Sequence, residues 1–121
     1  MFLKLNHQKL IIYETSRQFV LECYKLTKQF PDEEKFGMIA QIRRAALSVH
    51  LNIAEGASRR SENERKRFYE ISRGSIVEID AALDVANELG YLKVIVMEKL
   101  SEAMIKCFRL LSGLIGSNTT H

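Results

Sequence analysis

Two residue patterns in this 121-residue chain have types and spacings that could do chemistry. The first sets arginine before histidine: Arg44 precedes His50 by six positions and Arg43 by seven. An imidazole so placed can act as general base or acid at a ribose hydroxyl, with a guanidinium stabilising charge on the attacked phosphorus. On a continuous helix six positions diverge while seven nearly return, so Arg43 rather than Arg44 shares a face with His50. A lone histidine in an apolar helix is more often a packing or surface residue, and the chain is read as non-catalytic. No P-loop, Gly-rich dinucleotide turn or H-E-x-x-H accompanies it. His7, His50 and His121 each lack a glutamate three positions earlier, so the Glu-x-x-His pairs of di-metal bundles are missing. No metal and no cofactor are expected.

The second pattern is the stretch SVHLNIAEGASRRSENERKRFYE, Ser48 to Glu70. It crowds Arg59, Arg60, Arg65, Lys66 and Arg67 around the N-terminus of a coming helix, where the macrodipole is already positive and cations work against helix stability. Seven of the nine arginines lie between Arg43 and Arg73. Residues 43–73 hold eight Lys/Arg against four Asp/Glu, net +4, whereas the remainder holds ten against eleven, net −1. A solvated charge run with Glu62, Glu64 and Glu70 in ion-pair reach is the bland account. The sharper one is an anion site, since free amides at a helix start and arginine forks both suit phosphate. Nucleic-acid backbone is the expected ligand, with Arg59, Arg60, Arg65, Lys66, Arg67 and Arg73 as its contacts. Neither zinc-finger spacing nor an RNP aromatic run is present, so sequence-specific readout is not expected.

These residues must be positioned by helices. With 46% hydrophobic residues, one proline and 27% charged residues, the composition is that of a single globular domain, taken as residues 1–121. Four segments carry helical periodicity, at about 7–29, 33–55, 61–89 and 93–115, and none alternates, which predicts an all-α, up-down-up-down antiparallel four-helix bundle. The first stripe is Ile12, Ser16, Phe19, Cys23, Leu26 and Phe30, closed by Pro31. The second is Ile39, Ile42, Ala46, Val49 and Ile53, with PDEE placing acids in the first turn and Gly56 as a stop just past the helix. Ser61 and Glu64 form a capping box ahead of the third, whose rhythm is Phe68, Ser72, Ser75, Ile79, Ala82, Ala86 and Leu89, with Gly90 as stop. The fourth shows Val96, Leu100, Ala103, Cys107, Leu110 and Leu114, and the tail SNTTH is expected to fray.

Leu47, Leu51 and Ala54 make a second apolar line on the second helix, more than one core can take, which favours a homo-oligomer. Between the apolar lines runs a polar stripe, Gln41, Arg44, Ser48, Asn52 and Glu55. It is expected to be an interfacial hydrogen-bonding line in which Arg44 pairs with a carboxylate such as Glu78 and Asn52 anchors a neighbouring backbone. Cys23 and Cys107 have neither C-x-x-C spacing nor a paired framework and read as reduced core residues of a cytoplasmic protein. The N-terminus lacks a secretory pattern, and no apolar run approaches a membrane span.

The run QIRRAALSVHLNIAEGASRRSENERKRFYEISRGSIVEIDAALDVANELGYL, with FPDEEKFG before it, resembles the bacterial family of 23S rRNA intervening-sequence proteins. RRAA-S-V-x-x-NIAEG and ELGYL carry the likeness, which covers nearly the whole chain. The resemblance implies small four-helix bundles that assemble as homopentamers, named for genes found inside ribosomal RNA intervening sequences. A related branch is the accessory protein of diversity-generating retroelements, a basic barrel that binds nucleic acid and partners a reverse transcriptase. By position, the resemblance makes Arg43, Arg44, Ser48, Asn52, Glu55, Gly56, Gly74, Ser75 and Glu78 signature residues that hold the bundle and its subunit contacts. His50 departs from the pattern, where proline or a small residue is commoner. The Arg-His spacing also resembles the Arg-x(4–6)-His motif of HEPN-type ribonucleases, which leaves a metal-independent ribonuclease using Arg43 or Arg44 with His50 as the lesser alternative. A protein-interaction scaffold without nucleic acid is the other.

Overall fold

All four periodic segments are α-helical in the computed structural model, which describes residues 2–116, the side chains of residues 94–96 excepted. The helices are α1 (Ile11–Thr27), α2 (Met38–Ala57), α3 (Glu62–Glu88) and α4 (Val94–Gly116), and no strand occurs among the described residues. The tail SNTTH and the side chain of Val96 lie outside the described residues. α1 packs against α2 and α4, and α3 against the same two, with the diagonal pairs kept apart, as an up-down-up-down bundle requires.

The stripes meet in one core, except at Leu89 and Leu114, which are exposed. Phe19, Cys23, Leu26, Ile42, Val49, Ile53, Ile79, Leu100, Cys107 and Leu111 are essentially inaccessible. Each large apolar side chain so enclosed contributes about 1.5–3 kcal/mol. Ser16 and Ser72 sit in the stripes at full burial because each hydroxyl has a carbonyl to donate to, Tyr13 O at 3.0 Å and Val49 O at 2.7 Å. Burial pushes the Cys23 and Cys107 thiols up to about 12, so both stay protonated and unreactive.

Three helix boundaries differ from the sequence expectation. α1 starts at Ile11, not residue 7, because Leu10 is extended and separates it from a 3-10 turn over Asn6–Lys9. The acids of PDEE do not open α2: Asp32–Glu34 form a separate 3-10 turn, Gly37 leaves helical geometry, and Glu34 reaches on to accept the Met38 amide at 3.1 Å. Gly56 is no stop residue but part of α2, which continues to Ala57. A Cβ there would stand 2.9 Å from Phe68 Cβ and 3.0 Å from Tyr69 Cε1, so glycine is needed for the close approach of α3. Gly90 does terminate α3, with φ +79. Its amide donates to Asn87 O and that of Tyr91 to Ala86 O, both at 3.0 Å, the paired bonds of a Schellman motif.

Candidate nucleic-acid interface

The arginines gather where α2 turns into α3, at the end of the bundle that also holds the start of α1. The turn is short because Ser58 and Arg59 fold their amides back onto Glu55 O and Gly56 O, and Ser61 then caps α3 by accepting the Glu64 amide at 3.3 Å. Only this half of the expected capping box forms among the described residues. The Glu64 carboxylate turns to Arg59 Nη1, 3.8 Å away.

Of the six cations proposed from sequence, four have side chains engaged within the chain. Arg59 is spent locally: it pairs with Glu55 at 2.8 Å, lies 4.8 Å over the Phe68 ring, and has its Nε buried without a partner among the described residues. Arg65 donates from one nitrogen to Arg59 O at 3.1 Å and Arg60 O at 2.7 Å, which ties the turn to the helix. Lys66 faces Glu62 at 3.9 Å, and Arg73 leans across to α4, donating to Ser112 Oγ at 3.1 Å above the Phe108 ring. Arg60 and Arg67 are exposed, and their guanidinium groups have no ion pair or hydrogen-bond partner among the described residues. One amide of the α3 start, that of Glu64, is already given to Ser61, and Glu62 and Glu64 offset the dipole.

The expected structural residues divide as well. Arg43 joins α2 to α1, with Nε donating to Thr27 Oγ1 at 2.8 Å, Nη2 to Tyr24 O at 3.3 Å, and the guanidinium 4.7 Å over the Tyr24 ring. Ser75 Oγ donates to Ser48 Oγ at 3.0 Å and links α3 to α2. Arg44 does not pair with Glu78. Gln41 lies one turn earlier, takes that carboxylate with its own amide, and accepts from Arg44 at 3.3 Å. Asn52 does not anchor a neighbouring backbone either; its amide bonds Ser48 O at 2.8 Å on its own helix, the nearer carbonyl. Gly74 is exposed, and a Cβ there would meet nothing within 4 Å, so within this chain it is not a packing glycine.

His50 and Arg43 face different partners although they share a helical face. The His50 ring sits 4.5 Å from that of Tyr13, with Nδ1 2.6 Å from Ser16 Oγ. The Ser16 hydroxyl lies within hydrogen-bond reach of both Tyr13 O and this nitrogen, and its one proton serves whichever of the two the imidazole tautomer leaves as acceptor. Burial first, then Arg17 and His7, hold this imidazole below its ordinary value, against a smaller opposing pull from Glu14. Tyr13, Tyr24 and Thr27 were missed from sequence. Thr27 and Tyr24 lie three positions apart near the end of the α1 stripe, which is the signal that could have nominated them as partners for a facing arginine. Among the described residues no group of three or more His, Cys, Asp or Glu could hold a metal ion, and none of the described helices is long and apolar enough to cross a membrane.

Comparison with known proteins adds to this geometry. The family described as 23S rRNA-intervening sequence protein matches residues 8–113. A protein of unknown function from the S23 ribosomal protein family of Bacteroides thetaiotaomicron, solved by crystallography, is similar in fold with a TM-score of 0.76 at 20% identity. The alignment covers 87% of this chain and 98% of that one. No curated protein matches the chain.

Proposed function

The chain belongs to the family of 23S rRNA-intervening sequence proteins, and from that membership and the arginine-bearing end we propose a non-catalytic, homo-oligomeric protein that binds RNA or DNA backbone without sequence preference. The observation that carries this reading is the pair Arg60 and Arg67, exposed at the α2–α3 turn and the first turns of α3, while Glu55, Glu62 and Glu64 are taken by Arg59 and Lys66. Two free guanidiniums per protomer bind phosphate weakly, and an oligomer multiplies them into avidity. Support for the oligomer comes from the outer face of α2 and α3, where Leu47, Leu51 and Ile71 are 41%, 60% and 44% exposed around Gly74. The non-catalytic reading is supported by the engagement of the three candidate catalytic groups, His50 on Ser16, Arg43 on Thr27 and Arg44 on Gln41. Two buried free cysteines fit the reducing cytoplasm.

The test is a salt series on labelled single- and double-stranded RNA and DNA, with the label reporting strand integrity. Affinity should fall log-linearly with salt, and Arg60→Ala/Arg67→Ala should weaken binding at least about tenfold with a shallower slope and an unchanged helical spectrum. Arg65 is unsuitable for this purpose because its loss would loosen the turn. Unchanged affinity in the double variant would remove the assignment. Strand cleavage lost in His50→Ala would replace it with the ribonuclease.

A further inference from the structure

On the outer side of α3 and α4 lies a groove of about 310 Å³, lined by Val77, Met104, Ile105 and Phe108 with Asp80 and Arg109 at its edges. That volume is at the small end of ligand sites, about 300–1,000 Å³. Val77 and Ile105 are about half exposed there, and the Phe108 ring is 38% exposed. An accessible phenyl ring in an apolar groove of this size suits a flat aromatic guest.

The charges decide what that guest carries. The Arg73 guanidinium stands 5.8 Å from the Phe108 ring centroid, and Ser112 takes one of its five N–H donors. Arg109 follows Phe108 directly and is exposed, and its guanidinium has no ion pair or hydrogen-bond partner among the described residues. Two arginines beside an open ring suit a phosphate joined to a base, with the base stacked on the ring. Asp80 lies seven positions beyond Arg73, about 10 Å along α3. It is therefore set apart from the Arg73 end, where it can accept from the N–H groups of a base edge.

The groove also has a direction. The clefts nearer the start of α4 are lined by Asp80 and Asp84 and by Glu98 and Glu102, with no cation lining them among the described residues, so a polyanion does not continue that way. The other way leads to the arginine turn. Arg67 precedes Arg73 by six positions, about 9 Å along α3 and a third of a turn around it, with Glu70 the acid between them. A strand whose phosphates rest on Arg60 and Arg67 has the Phe108 groove within reach of its next nucleotides.

We propose that this groove takes an unpaired base of single-stranded RNA or DNA, stacked on Phe108 with its phosphate on Arg73 and Arg109. The proposal rests on the backbone-binding reading and adds to it a preference for single strands. Bases in a duplex are stacked on one another and cannot enter.

The test uses the full chain and a substitution that reports on the groove. The chain has no tryptophan, so Phe108→Trp supplies a single fluorophore there. Oligouridylate and oligothymidylate should quench its emission, and an abasic strand of equal length, with the same phosphates and no bases, should not. Phe108→Ala should weaken single-strand binding at least about fivefold and leave duplex affinity unchanged, whereas Arg60→Ala/Arg67→Ala weakens both. Circular dichroism checks that each variant keeps its helices. Unchanged single-strand affinity in Phe108→Ala, equal losses for single strand and duplex, or quenching by the abasic strand overturns the base site and leaves backbone binding standing. A wild-type chain that binds no strand even at low salt overturns both. A smaller oligomer in Phe108→Ala assigns the groove to another copy of the chain and also overturns the proposal.

Discussion

α3 meets its two neighbours in different ways. Against α2 it approaches closely at Gly56, shares one buried core through Ile76 and Ile79 with Ile42, Val49 and Ile53, and adds cross-helix hydrogen bonds at Ser72–Val49, Ser75–Ser48 and Gln41–Glu78. Against α4 it shares the core at Leu100, Cys107 and Leu111 but leaves Val77, Ile105 and Phe108 around an open groove. The chemistry of the stripes explains the difference: glycine and serine on α2 and α3 let backbones come near and give the short side chains something to bond, whereas branched and aromatic residues on the outer flank of α4 hold the helices apart. The lesson is that the α2/α3 pair is the bundle's internal brace, and the α3/α4 side is where it has apolar surface left to offer.

The largest effect should come from truncation on the braced side. Ile53→Ala, at a fully buried position between α2 and α3, should cost about 2–5 kcal/mol, whereas Val77→Ala, half exposed at the groove, should stay within about 0.5 kcal/mol in urea unfolding of the dilute protomer. Equal losses would mean that both sides are braced alike. Next in size is a pair of glycines. Gly56→Ala must push Phe68 and Tyr69 aside and should cost about 1–3 kcal/mol, while Gly74→Ala should be neutral or stabilise by up to about 1 kcal/mol through helix propensity. Thermal melting of the two variants decides it, and a destabilising Gly74→Ala would place another copy's backbone against that position.

The smallest effect concerns His50, on the opposite side of α2 from the α3 contact. Its folded-state pKa lies below the ordinary 6.5 because burial disfavours the charged ring. The unfolded chain therefore takes up the proton first as pH falls, so the stability is present in full above pH 6.5 and is lost as pH falls through the lowered folded value. His50→Gln should flatten that part of the pH profile, measured by urea unfolding at pH 7.5 and at progressively lower pH. An unchanged profile would mean that the ring charges freely beside Ser16.

The helices and their inward faces were legible because burial imposes a period of three to four that survives in the residue types. All six positions of the α1 stripe, Ile12 through Phe30, are buried. Boundaries were less legible where one residue type serves two ends. Gly56 has the look of a stop residue, yet only the neighbouring α3 reveals that it is a contact glycine. The acids of PDEE suit a helix start, but Gly37 intervenes and moves the start to Met38. At the candidate interface the sequence located the charge and could not apportion it. Whether Arg65 faces solvent or its own turn depends on where the carbonyls of Arg59 and Arg60 point, and Glu78 goes to Gln41 rather than Arg44 by reach.

The close approach at Gly56 also sits at one end of a long helix. α3 runs 27 residues from Glu62 to Glu88, about 40 Å, and the contact with Gly56 engages only its first turns. That makes Gly56 a fulcrum and α3 a lever. A tilt of a few degrees there displaces the far tip by about 2–3 Å at the stated rise per residue, so the size of one missing methyl group sets the aim of the whole helix.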